Sequence, residues 1–196
     1  MRHIRKYRYY LLIVFLALGY SCSSISYYGH NIHGHFTMLS KRVLIDDLIN
    51  QDTMEDQELK RRLKLALAIR QFAADALFLA NHGSYQHYVN LQEPYIKWNV
   101  IAAPKFSVNP QLWCFLIVGC VSYRGYYNEK DAQTFASQLQ AKGFDTYISG
   151  AIAYSTLGWF EDPLLSTMMQ WSDFRMAEFI IHELAHQKVY IKDNQD

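Results

Sequence analysis

The run His182-Glu183-Leu184-Ala185-His186 constrains this chain more than any other stretch. Side chains four apart on an α-helix share a face, so a helix through the run aims both imidazoles at one spot. Glu183, one residue on from His182, is rotated by about 100° and stands beside that spot. Phe179, Ile180 and Ile181 precede the run and Val189 follows it, so one side of the helix must be packed. Asp173 is expected to cap it, with the first helical residue at Phe174 and the last near Tyr190.

Two imidazoles on one face suit Zn²⁺, which takes neutral histidine nitrogen at about 2.0–2.1 Å. Glu183 beside such an ion can take a proton from water and pass it to a leaving amine. The competing reading is an amphipathic helix with two solvated histidines, which the apolar flanks oppose. A catalytic zinc needs a third protein ligand. After His186 come only the residues from Gln187 to Asp196. Their polar end, Asp193 to Asp196, is a poor source of ligands because chain ends fray. The third ligand lies upstream, or the chain stops short of it.

The N-terminus reads as a targeting segment. Arg2, Arg5, Lys6 and Arg8 precede a mostly apolar run from Tyr9 to Tyr20, and Cys22-Ser23-Ser24 follows. That run is too short to span a bilayer, which takes about 20 residues, and has the length of a signal h-region. Residues 1–21 resemble a bacterial lipoprotein signal, which implies cleavage before Cys22 and a lipid on that cysteine. Gly19 and Tyr20 depart from the usual box, and an ordinary signal or an uncleaved anchor is the alternative. The whole chain carries 19 basic and 18 acidic residues. Without the four basic residues of 1–21 the remainder has 15 basic and 18 acidic, net −3. Nucleic acid is therefore not an expected partner. With Cys22 lipidated, Cys114 and Cys120 remain as an even pair, able to form a disulfide outside the cytoplasm if the chain turns near Gly119. Two buried thiols are the alternative.

Residues 22–196 are long enough for one domain, and 51% hydrophobic content makes it a packed one. His30, His33 and His35 lie close together but share neither a helix face nor a strand face. A helix then a connection at Asp46–Gln51 are expected there. Leu59, Leu63, Ala66, Ile69, Ala73 and Leu77 recur at helical steps and predict a scaffold helix over Thr53–Ala80. Asp52 or Thr53 would cap it, Gly83 would end it, and Lys60, Arg61 and Lys64 would form a solvated face. Ile96–Ala102 and Leu112–Tyr123 read as strands. Asn128 caps a short helix ended by Gly143, and Phe144–Ser149 reads as a strand, so Leu112–Ser149 forms a β-α-β unit in a small mixed sheet. Gly150–Leu165 mixes strand formers with Gly and Pro and could border a cleft, and Ser166–Trp171 reads as a short helix. The class is α+β with a C-terminal H-E-x-x-H helix.

Several runs together carry a family resemblance: Tyr27-Tyr28-Gly29, Trp98-Asn99-Val100, Ala102-Ala103-Pro104, Trp113-Cys114-Phe115, Gly119-Cys120-Val121, Tyr123-Arg124-Gly125-Tyr126, Ala153 to Phe160, Asp162 to Leu165, and His182 to Gln187. The chain resembles the zinc aminopeptidase lipoproteins of proteobacteria. The resemblance implies a zincin-like fold, a peptide substrate, Zn²⁺ on His182 and His186, and Glu183 as the catalytic residue. It implies a periplasmic protein held by a lipid on a bacterial membrane, the outer one in preference. In that family a second helix beginning Asn-Glu resembles the source of the gluzincin third ligand. This chain resembles the N-terminal part of a longer member, ending just before that helix. An aminopeptidase must hold the substrate's free amine, and Glu161 or Asp162 could do so. The alternative is a lipid-anchored protein without catalysis, a binding module left over from the peptidase.

Overall fold

The computed structural model describes residues 26–51, 56–79, 83–115, 119–156 and 159–188. They divide into two compact units, split between Thr37 and Met38. The expected boundary after residue 21 lies outside the described residues. Residues 26–39 are helical (α1), of which 26–37 belong to the first unit. A helix sets His35 about 200° round from His33, so α1 gathers no three-histidine face.

The second unit runs β1 (Val43–Leu44), α2 (Ile45–Ile49), α3 (Gln57–Asp75), β2 (His87–Val89), β3 (Lys97–Pro104), β4 (Trp113–Phe115) and β5 (Gly119–Val121). It continues through β6 (Arg124–Tyr126), α4 (Glu129–Ala141), β7 (Phe144–Ala151), β8 (Leu164–Leu165) and a 3-10 turn, Ser166–Gln170, to α5 (Asp173–His186). The unit is mixed α and β. The stretch expected to be a connection at Asp46–Gln51 is helical through Ile49, because Ile45 is fully buried and anchors that turn.

α3 starts where the Asp56 carboxylate accepts the Leu59 N–H at 2.9 Å. Leu63, Ala66, Ile69 and Ala73 form its buried stripe. The helix stops at Asp75, not Ala80, and Ala73 is its last buried residue. Leu77 is exposed, and Phe78 turns the chain with φ +54°. α5 buries Met176, Ile180 and Leu184 against α3. Its cap is Ser172, whose Oγ accepts the Arg175 N–H at 3.2 Å. Asp173 lies inside the helix, with its carboxylate on Arg61 and Arg62 of α3. The expected cap therefore serves as a brace between the two helices.

Three short strands, in the order β1-β2-β8, border this helical core. A second sheet has β3 in the middle, antiparallel to β6 on one side and β7 on the other. α4 connects β6 to β7, so a β-α-β unit with β3 between its strands is present, led by β6 and not by the strand expected over Leu112–Tyr123. The single strand expected over Leu112–Tyr123 is a hairpin instead. β4 and β5 pair Trp113 with Val121 and Cys114 with Cys120. Cys114 and Cys120 are disulfide-bonded, and Gly119 takes φ +74° beside them. α4 is capped by Asn128, whose Oδ1 accepts the Lys130 N–H, and ends at Gly143 with φ +88°. Ala132, Ala136 and Leu139 pack on Val100 and Ala102 in a separate, smaller core.

Candidate active site

His182, Glu183 and His186 all fall on α5. The two histidines are one turn apart, and their Nε2 atoms face each other at 2.9 Å. Their rings stand 87° apart with centroids at 4.5 Å. Two nitrogens on one tetrahedral zinc would be separated by about 3.3 Å, given bonds of about 2.0–2.1 Å. The pair therefore fits two coordination positions of a single ion after a small ring adjustment. Among the described residues, no group of three His, Cys, Asp or Glu side chains stands close enough to hold a metal.

Glu183 is half-buried beside the pair. The face of α5 that carries it also carries Phe179 and Gln187, four residues on either side. That face meets the segment around Ser84 and Tyr85. The Gln187 side-chain amide donates to Ser84 Oγ at 3.1 Å, and the Tyr85 ring stands edge-on to Phe179 at 6.3 Å. From the other side, Arg70 of α3 is buried, and its Nε donates to the Ser84 carbonyl at 2.6 Å. Burial pulls this guanidinium below its ordinary value.

Asp162 joins the same cluster. Its carbonyl accepts the Tyr85 N–H at 2.6 Å, and its N–H donates to Ser84 Oγ at 3.3 Å. The carboxylate is buried and accepts from the Thr156 N–H at 2.8 Å, the Thr156 hydroxyl at 2.9 Å and the Ser155 hydroxyl at 3.4 Å. Burial raises its pKa, and the nearby Glu183 charge adds to the rise. These bonds close the 156–162 loop, of which 157 and 158 lie outside the described residues. Glu161 is exposed, lies against Gly83 and stands 3.8 Å from Arg42. A side chain at position 83 would meet the Glu161 carboxyl group, and the exposed, flexible Glu161 side chain would have to swing aside.

The sequence reading gathered His182, Glu183 and His186 because they are local on one helix. It missed Ser84, Tyr85 and Arg70, which reach the site from about a hundred residues away in the chain. Gly83 is the one local signal, and from the sequence it marks only a helix end. Cys22 lies outside the described residues. Among the described residues, no helix is long and apolar enough to cross a membrane. A cavity of about 330 Å³ beside Asp56, Arg62, Tyr88 and Met169 lies at the other end of the α3–α5 contact and holds none of the site residues.

The sequence model of the family described as "Putative aminopeptidase" matches residues 26–196. The chain belongs to that family. No curated protein and no solved structure matches it.

Proposed function

We propose that the chain is a zinc-dependent aminopeptidase that removes N-terminal residues from peptides. Membership of the aminopeptidase family supports the class. The observation that carries the mechanism is the 2.9 Å approach of the His182 and His186 Nε2 atoms on α5. In this reading the two imidazoles would hold Zn²⁺ in a zincin-like site, and the ion, when bound, would let a water give up a proton readily and so become a nucleophile towards a peptide carbonyl. Glu183 is the general base that accepts the proton of the attacking water. It then returns that proton to the departing amine. The substrate's free amine pairs with a carboxylate of the 156–162 loop. Asp162 already accepts three hydrogen bonds, which favours the exposed Glu161. A lipid on Cys22 holds the protein on the periplasmic side of the bacterial envelope.

The full chain, loaded with zinc, is assayed on aminoacyl p-nitroanilides while bound metal is measured by atomic emission. Glu183→Gln is expected to keep its zinc and to lose turnover by about 10²–10⁴-fold, the usual effect of losing a general base. Turnover that survives this change ends the mechanism.

One observation favours a second reading. No three-donor group exists among the described residues, and two histidines alone hold zinc weakly. A lipid-anchored binding module without catalysis would show sub-stoichiometric zinc and no turnover of any aminoacyl substrate.

A further inference from the structure

Tyr85 carries three anomalies in one residue. It is 1% exposed, its hydroxyl makes no well-formed hydrogen bond among the described residues although the Ser155 hydroxyl is near, and its backbone is left-handed, with φ +60°. A buried unpaired hydroxyl is destabilising, and so is a left-handed aromatic residue. Such features persist where the surroundings enforce them, and they concentrate at functional sites. Here the surroundings do enforce them. Arg70 holds the Ser84 carbonyl, Asp162 accepts the Tyr85 N–H, and Gln187 holds the Ser84 hydroxyl.

The position of the ring says what the hydroxyl serves. Phe179, Glu183 and Gln187 follow one another at four-residue steps on one face of α5. Tyr85 packs against Phe179 and Ser84 bonds to Gln187, so Glu183 is the residue between these two contacts. The Glu183 carboxylate makes no hydrogen bond or ion pair among the described residues. The other nearby carboxylate, Asp162, already accepts from Ser155 and Thr156. Burial, and after it the Asp162 and Glu183 charges, keeps the phenol protonated, so it acts as a donor.

We infer that Tyr85 is a positioning residue for Glu183, its hydroxyl donating to the Glu183 carboxylate and holding it in the orientation that accepts the proton of the attacking water. This rests on the proposed peptidase reading. The two side chains are near enough for the Glu183 charge to act on the phenol, and the pairing gives a buried hydroxyl an acceptor on the face of α5 where Gln187 Oε1 is also unpaired among the described residues.

The test is Tyr85→Phe in the full chain, read by thermal unfolding without metal, by zinc content, and by kinetics on alanine and leucine p-nitroanilides with zinc. Removing an unpaired hydroxyl should leave the unfolding midpoint unchanged or raise it. Zinc content and KM should stay as in the wild type, while kcat falls ten- to a hundredfold. A residue that only supports the fold would lower the midpoint instead, and that result overturns the inference. Undiminished kcat in the variant, with an active wild type, overturns the role of Tyr85 alone. A wild type that holds zinc and turns over nothing removes the peptidase reading and the role of Tyr85 with it.

Discussion

The carboxylate of Asp173 illustrates how a residue's neighbours set its work. Its place before an apolar run suits a helix cap, and Ser172 takes that position instead. Asp173 is left to receive Arg61 at 2.8 and 3.0 Å, together with Arg62. Hydrogen bonds from Arg61, then Arg62, hold its carboxyl well below the ordinary 3.8. A depressed carboxyl stabilises the fold above its ordinary pKa and loses that contribution as pH falls towards the folded value. Unfolding midpoints measured from pH 5 to pH 2.5 should therefore drop below about pH 4. Asp173→Asn should flatten part of that drop. The helical spacing of α3 identified Arg61 as exposed but read it as solvated, and it gave Arg62 no role. Arg62 is buried and bonds to the Met169 carbonyl as well.

At the scale of elements, periodicity located helices well and ends poorly. The stripes of α3, α4 and α5 are visible in the sequence because burial repeats every three or four residues. Where α3 stops is not local information: Leu77 continues its apolar pattern, yet Ala73 is its last buried residue. Strands fared less well. An apolar run such as Leu112–Tyr123 reads alike as one long strand or as two short ones. The register that decides, with Cys114 opposite Cys120, exists only once the hairpin has formed. Both cysteines are exposed, so the bridge adds little burial and acts mainly by closing a short loop. Replacing both with serine should lower stability in urea by about 2 kcal/mol, the chain-entropy value for a loop this short. The smaller core under α4 should keep its amide-exchange protection in that variant, since Val100, Ala132 and Ala136 lie outside the hairpin.

Across the whole second unit, Lys97 lies where the two cores adjoin. Its Nζ stands 4.6 Å from the Tyr127 ring centre and 5.1 Å from that of Tyr154. Tyr127 and Tyr154 pack on the helical core, while the neighbouring Trp98 packs on the sheet core. Burial brings the Lys97 amine down from 10.5 to about 8. Between those values the unfolded chain holds a proton that the folded chain lacks, so folding stability rises with pH there. Burial also pushes the Tyr127 phenol up to about 12, so its contribution is lost only as pH climbs from 10 towards that value. Stability should rise from pH 7.5 to 9.5, and Lys97→Met should remove most of that rise in urea titrations at fixed ionic strength.

The sequence by itself determined the helix that carries His182, Glu183 and His186, the apolar stripe that buries it, and the scaffold helix it leans on. All three are set by residues within one or two turns of each other, where backbone geometry alone fixes which side chains share a face. It also carried enough of the family's pattern to match over residues 26–196. Only the tertiary structure decided that Ser84 meets Gln187 and Tyr85 meets Phe179 on the face of α5 that carries Glu183, that Asp162 is buried and bound to Thr156, and that Asp173 ties α5 to α3. Those contacts join residues six to more than a hundred positions apart, and no local periodicity encodes them. They form because the packing of α3 on α5 leaves polar groups that must find partners once water is excluded.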